Sequence, residues 1–205
     1  LLGCGLSTAL GTINNEAHVQ FGESVMVIGA GGLGVNLIKA AALASAYPII
    51  SVDIHDNKKE IVESLGAHLF VNCKKENIEE ALYKTFGIRE VNVIIDTAGN
   101  KKTLEETIPL LASGGRHVLV GQLPAGESIE LHNPNHLFGG EGKSLRATQG
   151  GQFSPSRDIP RYVRLAHAGI LKTDGIITHH VKLDDINDAI EQVRAGQASR
   201  ILIVM

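Results

Sequence analysis

Short apolar runs alternate with amphipathic stretches along most of the chain, a pattern typical of strands separated by helices. The apolar runs predict six strands, at residues 25–28, 49–52, 69–71, 91–96, 117–120 and 145–148. The amphipathic stretches predict helices at about 33–44, 57–65, 78–86 and 103–111, the last begun by a capping box of Thr103 and Glu106. Strands joined by helices of this length predict an α/β fold, a doubly wound parallel six-stranded sheet.

The remaining C-terminal part changes character. It predicts a helix at about 159–167, a second helix that is capped by Asp184 and ends at Gly196, and a final strand over 200–204. The adjacent His179 and His180 show no metal-ligand spacing and are predicted to be surface or loop residues. Elements that follow a completed sheet indicate a second domain, or a bridge to one.

The most informative motif is the glycine-rich run that follows the first strand, GAGGLG at residues 29–34. Gly29 permits the tight turn, Gly31 allows the backbone to approach a pyrophosphate, and Gly34 lets the next helix lie close to the sheet. The candidate cofactor-binding residues of this turn are Gly29, Gly31, Gly32, Leu33 and Gly34. The alternative is a glycine-rich turn without a ligand.

Asp53 ends the second predicted strand, where its carboxylate would accept hydrogen bonds from both ribose hydroxyls. A carboxylate there repels a 2′-phosphate, so the expected cofactor is NAD rather than NADP. Ligands on such sheets bind beyond the carboxyl ends of the strands. The other strand-end residues, at 96–99 and at Gly121 and Gln122, should therefore converge with Gly29 and Asp53 on one crevice.

Composition narrows the function classes. The net charge is −3, from 19 basic and 22 acidic residues, and the absence of a basic run argues against nucleic acid as a partner. No apolar stretch approaches the ~20 residues that span a bilayer, so no membrane association is expected. The two cysteines are too few for a disulfide framework, which favours a reducing cytoplasm.

The residues that other enzymes with similar folds require are absent from this sequence. None of the three tyrosines is followed four residues later by lysine, so the YxxxK pair of the short-chain reductases is missing. No GxSxG motif indicates a hydrolase. A methyltransferase also uses a glycine-rich first turn, but the third glycine of GAGGLG favours a dinucleotide.

Four stretches resemble the zinc-dependent medium-chain alcohol dehydrogenases: GCGLST at residues 3–8, the glycine turn, Val52-Asp53-Ile54 with Lys58 beyond it, and Gly150-Gly151 with Ser199-Arg200. The resemblance covers the whole chain, but the chain corresponds to about the last half of such an enzyme. It therefore implies a missing N-terminal catalytic domain. It also implies a division into a linker from that domain (1–20), a dinucleotide-binding Rossmann domain (21–148) and a C-terminal segment of the catalytic domain (149–205).

The resemblance implies a role for individual residues. Cys4 is similar to the third catalytic zinc ligand, and Thr8 and Leu33 to residues that contact the nicotinamide. Asp53 and Lys58 would hold the adenosine ribose, and Arg200 would reach the pyrophosphate. The remaining implied contacts are Thr97 and Ala98 on the adenosine side and the backbone of Val120, Ala147 and Gln149 at the carboxamide.

Several of these residues have a simpler interpretation. Cys4 is otherwise a small core residue, Lys58 a solvent-exposed lysine in the first helical turn, and Arg200 an ordinary charge beside an edge strand. Residues 129–131 near the sixth strand are expected to pair across a two-fold axis in a homodimer.

The expected function is that of the NAD(H)-binding half of a zinc-type alcohol or aldehyde oxidoreductase. In the whole enzyme, hydride would pass between the substrate and NAD while zinc binds the substrate oxygen. This chain alone is expected to bind NAD without zinc and without turnover. The alternative is a non-catalytic NAD(H)-binding regulatory module.

Overall fold

The computed structural model describes residues 2–205 and confirms the alternation of strands and helices. The strands are β1 (Val25–Ile28), β2 (Ile49–Asp53), β3 (Leu69–Asn72), β4 (Val91–Asp96), β5 (Leu111–Leu119), β6 (Ser144–Ala147), β7 (His179–Lys182) and β8 (Ile201–Val204). The α-helices are α1 (Gly5–Gly11), α2 (Gly34–Leu43), α3 (Lys59–Ser64), α4 (Ile78–Phe86), α5 (Lys101–Thr107), α6 (Pro155–His167) and α7 (Ile186–Arg194). None of the helices described for residues 2–205 has both the length and the apolar character that a membrane crossing requires.

The first six strands form one sheet in the order β3-β2-β1-β4-β5-β6, with every neighbouring pair parallel. The chain leaves the β3 edge and returns beside β1, so the strand order reverses between β1 and β4. Alternate residues of one strand enter different cores: Val27 joins the cluster that includes α2, and Met26 joins the cluster that includes α4. Burial on both faces confirms the doubly wound α/β sheet.

The start of α5 differs from the prediction. The side chain of Asn100 accepts a hydrogen bond from the backbone N–H of Thr103 at 3.1 Å, so Asn100 is the N-cap and the helix begins at Lys101. The predicted cap at Thr103 is wrong because the preceding asparagine already satisfies the free N–H groups of the first turn.

The C-terminal part contains a strand that the sequence pattern did not indicate. His179 and His180 lie in β7, which pairs in parallel with β8, so they are not loop residues, whereas His180 is exposed as predicted for a surface residue. The strand alternates half-buried and exposed residues instead of apolar and polar ones, so its periodicity was not visible. The predicted Asp184 cap is also wrong, because residues 183–185 form a 3₁₀ turn and α7 begins at Ile186.

The segment predicted as a linker contains a buried helix. All residues of α1 are buried, and a π-helical turn continues from it over Thr12–Glu16. A methyl group added at Gly11 would lie 2.4 Å from the carbonyl oxygen of Gly151, so two glycine positions allow α1 to approach the turn after β6. The division of the chain into domains stays a prediction.

Two glycines shape the turn between β1 and α2. Gly29 has a φ of +90°, a conformation that strongly favours glycine. A methyl group added at Gly34 would lie 1.8 Å from the carbonyl oxygen of Gly29, so any side chain at residue 34 would push α2 away from the strand. A methyl group at Gly31 would meet no atom within 4 Å. The three glycines of the motif therefore carry different constraints.

We expect Gly34→Ala to lower the free energy of unfolding by about 3 kcal/mol, because the added methyl group overlaps a backbone oxygen that the sheet holds in place. The matched Gly31→Ala should change it by less than about 0.5 kcal/mol. Urea unfolding followed by circular dichroism measures both values. Equal losses of stability for the two variants would contradict this account of the turn.

His117 is a fully buried histidine in the middle of β5. Neither ring nitrogen has a hydrogen-bond partner among the described residues, and burial lowers the pKa of the imidazole from 6.5 to about 4. The folded protein therefore keeps this ring neutral at pH values where the unfolded chain binds a proton. Titration of the buried ring therefore costs no stability above about pH 6.5. Below that value the free energy of unfolding falls as the pH drops towards 4, because only the unfolded chain binds the proton.

Because of His117, we expect the free energy of unfolding to be about 2 kcal/mol lower at pH 5 than at pH 7. His117→Leu removes the protonation and should lose that part of the pH dependence, whereas replacement of the exposed His132 by leucine should keep it. Urea unfolding at the two pH values measures the difference, and carboxylate contributions cancel between the variants. An identical pH dependence for His117→Leu and the original chain would contradict the assignment.

Candidate functional site

Two neighbouring cavities lie at the carboxyl ends of the parallel strands. The first has a volume of about 450 Å³, and its walls include the predicted residues Gly29, Asp53 and Ala98. The second, of about 400 Å³, is lined by residues that follow or end β5 and β6, among them Val120, Gln122, Ala147 and Gln149. Seven of the predicted cofactor-binding residues therefore line these two cavities, at the edge of the sheet where the topology predicts a ligand.

Asp53 joins the end of β2 to the glycine turn. One carboxylate oxygen accepts a hydrogen bond from the backbone N–H of Ala30 at 2.6 Å, and the other accepts from Ile54 at 2.7 Å and His55 at 2.9 Å. A carboxylate offers about four lone-pair positions, so one remains available to a ligand in this conformation. Asp53 thus stabilises the turn in addition to facing the first cavity.

Thr97 and Ala98 follow β4 at the point where the strand order reverses. The hydroxyl of Thr97 donates a hydrogen bond to the carbonyl oxygen of Ile28 at 2.8 Å, which ties the end of β4 to the end of β1. Ala98 contributes to the wall of the first cavity, whereas Thr97 lines neither cavity. The structure therefore gives Thr97 the role of holding two strand ends together.

Lys58 is 4% exposed, so the interpretation as a solvent-exposed lysine is wrong. Its ammonium group donates a hydrogen bond to the hydroxyl of Ser199 at 3.1 Å. Burial lowers the pKa of Lys58, and the nearby carboxylate of Asp53 opposes that shift. The lysine lies between the acidic end of β2 and the C-terminal part of the chain, a contact that sequence spacing did not predict.

Arg200 has an exposed side chain that lies beside the glycine turn. A methyl group added at Gly32 would be 3.9 Å from Cδ of Arg200 and 2.8 Å from the carbonyl oxygen of Ser199. The second glycine of the Gly31-Gly32 pair therefore makes room for the chain that carries the arginine. The structure brings Arg200 and the start of α2 together, although they are distant in sequence.

Asp96 also belongs to the crevice. The sequence placed this residue at the sheet edge but indicated no role for it. It is completely buried at the end of β4 and forms part of the wall of the second cavity. One carboxylate oxygen accepts a hydrogen bond from Gly99 at 2.7 Å, and the other has no partner among the described residues. Burial raises the pKa of this carboxyl group.

Cys73, the second of the two cysteines, was not among the predicted site residues, but it follows β3 and lines the first cavity with Asp53. Burial raises the pKa of its thiol. Its position directly after a strand was the signal that could have placed it, since other strand ends on this side contribute to the crevice.

The residues expected near the nicotinamide and zinc lie outside the two cavities. Thr8 is buried in α1, and Leu33 is half-buried immediately before α2. Cys4 is exposed before α1, so its interpretation as a core residue is wrong. Within residues 2–205, no three His, Cys, Asp or Glu side chains form a group suited to a metal ion. The described residues alone do not make up the implied zinc site.

The zinc-binding dehydrogenase family matches residues 32–168 of the chain. The chain is 32% identical over 210 residues to S-(hydroxymethyl)glutathione dehydrogenase of Paracoccus denitrificans, a match that covers 99% of this chain and 55% of the relative. It therefore spans about half the length of the curated relatives it matches.

Solved structures share the fold. Benzyl alcohol dehydrogenase of Acinetobacter calcoaceticus superposes with a TM-score of 0.89 at 29% identity, over 98% of this chain and 55% of that one. A structure from Sinorhizobium meliloti, which is bound to NADP, superposes with a TM-score of 0.84 at 24% identity, over 98% and 58% of the two chains. The second similarity concerns the fold alone.

The family match includes the second half of the glycine turn, from Gly32, together with all of β2 to β6 and most residues of the cavities at the carboxyl ends of the strands. This agrees with the resemblance that the motifs indicated in the sequence. The chain belongs to the zinc-binding dehydrogenases, the family of the zinc-dependent medium-chain alcohol dehydrogenases.

Proposed function

We propose that this chain binds NAD(H) across the carboxyl edge of the six-stranded sheet. The observation that carries the proposal is the glycine turn at the reversal of strand order, with free space at Gly31 and Arg200 beside it. Backbone N–H groups at the start of α2 and the guanidinium of Arg200 would bind the pyrophosphate. Adenosine would occupy the first cavity, and the nicotinamide would lie at the second.

The proposed preference for NAD over NADP rests on Asp53. Two lysines and two carboxylates line the first cavity: Lys74, Lys102, Asp53 and Glu106. These charges balance, so the charge nearest the ribose decides whether a 2′-phosphate is tolerated. Asp53 is held in place by three backbone N–H groups, and it would therefore repel the extra phosphate instead of moving aside.

We further propose that the whole protein transfers hydride between an alcohol or aldehyde and NAD. Zinc would supply a Lewis acid for the substrate oxygen, with Cys4 as one ligand. Because residues 2–205 hold no complete metal site and the relatives are nearly twice as long, the other ligands would lie outside this chain. Cofactor binding without turnover is the activity proposed for the chain by itself. A regulatory NAD(H)-binding module is the alternative, and turnover by the whole protein would exclude it.

The proposed setting is a homodimer in a reducing compartment such as the cytoplasm. Both cysteines are free thiols, which supports the compartment. The strand β6 lies at the edge of the sheet and leaves one side of its backbone unpaired, which supports pairing with a second copy. Residues 129–131, the part expected to pair, form a loop in which the backbone N–H of Glu130 donates a hydrogen bond to the carboxylate of Glu105 at 2.7 Å. We therefore assign the contact to β6.

We expect the dimer to depend on β6. Leu145→Pro removes a backbone N–H from the side of β6 that faces away from β5 and fixes the φ of the residue, so it should shift the chain towards the monomer in sedimentation velocity experiments. Leu145→Ala is the matched control, because it shortens the side chain but keeps that backbone N–H. A chain that sediments as a monomer at every concentration would contradict the dimer.

We expect the folded chain to bind NADH more tightly than NADPH by at least about tenfold, because Asp53 repels the 2′-phosphate. Asp53→Asn keeps one acceptor oxygen for the turn and removes the charge, so it should narrow the difference to about twofold. The measurement is a titration followed by nicotinamide fluorescence, which no tryptophan in this chain disturbs.

Two further variants provide the controls for this titration. Gly31→Ala should fold normally and lose NADH affinity, since its methyl group would occupy the pyrophosphate site, whereas Gly139→Ala has free space elsewhere and should bind normally. A folded chain that shows no saturable binding of NADH would contradict the proposed function. Equal affinity for the two cofactors would contradict only the role of Asp53.

A further inference from the structure

The segment Gly196–Arg200, called the tail segment below, is anchored across the loop between β2 and α3. The side-chain amide of Asn57 donates a hydrogen bond to the carbonyl oxygen of Gly196 at 3.2 Å. A methyl group added at Gly196 would lie 2.8 Å from the ring of His55, so the two parts of the chain are in close contact. These contacts fix one end of the tail segment before it reaches the glycine turn.

The hydrogen bond between Lys58 and Ser199 is the buried part of this anchor. Lys58 is 4% exposed and Ser199 is 8% exposed, and their polar atoms are 3.1 Å apart. An ammonium group that is removed from water requires hydrogen-bond partners, and within the described part of the chain Lys58 finds the Ser199 hydroxyl. Without that hydroxyl, Lys58 would have to turn towards water or admit a water molecule, and either change would displace the tail segment.

Arg200 follows Ser199 directly, so the anchor determines where the guanidinium lies. The backbone at this point is also held by Thr178, whose hydroxyl donates a hydrogen bond to the carbonyl oxygen of Arg200 at 3.0 Å. On the side of the turn, the carbonyl oxygen of Ser199 lies against Gly32. Among these contacts, the hydroxyl of Ser199 is the one that links the tail segment to a buried charge.

We propose that Ser199 is a positioning residue for the cofactor site. By accepting a hydrogen bond from Lys58, it fixes the tail segment so that Arg200 lies beside the start of α2, ready to bind the pyrophosphate of a dinucleotide. This inference rests on the proposed binding of NAD(H). It also gives Lys58 a second role, because the lysine acts through Ser199 on the pyrophosphate in addition to the ribose contact that the resemblance implies.

The test compares NADH dissociation constants of the 205-residue chain and its variants by nicotinamide fluorescence. Ser199→Ala should raise the dissociation constant about fivefold, since the hydrogen bond that orders the tail segment is lost. Ser199→Thr keeps a hydroxyl and should restore most of the affinity. The matched control is Ser64→Ala, which removes an exposed hydroxyl on α3 that bonds only to Ile61 and should leave the affinity unchanged.

A double-mutant cycle with Arg200→Ala shows whether Ser199 acts through the arginine. Arg200→Ala alone should raise the dissociation constant by roughly ten- to a hundredfold, as expected for a lost charge-assisted hydrogen bond. In that background, Ser199→Ala should add less than about a twofold effect, because no guanidinium remains to be positioned. A role in general packing would instead give the same fivefold effect with and without Arg200, and that result would overturn the proposal.

Folding and function are kept apart in the same experiment. Thermal unfolding identifies variants that have lost structure, and Ser199→Cys preserves the volume of the side chain with a weaker acceptor if Ser199→Ala does not fold. An unchanged NADH dissociation constant for both variants would overturn the proposal. If the original chain binds no NADH although it is folded, the proposed function itself fails, which is a different outcome from a failure of Ser199 to affect binding.

Discussion

The close approach of α2 to the carbonyl oxygen of Gly29 is the constraint on which the site depends. It requires a glycine at residue 34, and it directs the first N–H groups of α2 towards the crevice where the strand order reverses. Asp53 then fixes the same turn from the second strand by accepting the N–H of Ala30. The glycine turn is therefore rigid before any ligand binds, and a rigid set of donors loses less conformational entropy on binding.

Most of the sheet was predictable because its strands are buried on both faces. Such strands appear in the sequence as continuous apolar runs, as in 25–28 and 91–96, and parallel pairing follows from the helices between them. The elements that the pattern missed have a different basis. β7 contains mostly polar residues and exists because it pairs with β8, and α1 is fully buried and packs through Gly11 against the backbone of Gly151. Tertiary contact, not local periodicity, stabilises both elements.

The candidate site likewise contains residues that could be placed from the sequence and residues that could not. Residues that end parallel strands converge by topology alone, so Gly29, Asp53 and Gln122 could be assigned to the same edge of the sheet from their positions in the sequence, where they line two neighbouring cavities. The environment of Lys58 could not be predicted in this way, because its partner Ser199 is 141 residues away and belongs to no helix or strand. Long-range contacts between loops carry no periodic signal. The resemblance to a family named Lys58 and Arg200 individually, but it did not indicate that the two are mechanically linked.

That link changes how the cofactor site should be understood. The six-stranded sheet supplies the glycine turn, both cavities and the acidic group proposed to bind the ribose, yet the cation proposed to bind the pyrophosphate comes from a tail outside the sheet. A flexible tail would have to be ordered during binding, and the entropy cost would weaken the complex. Burial of Lys58 beneath Ser199 is itself unfavourable, and its cost falls on the folding of the chain. Because the tail and its arginine are then ordered before the ligand arrives, their ordering does not reduce the free energy of binding.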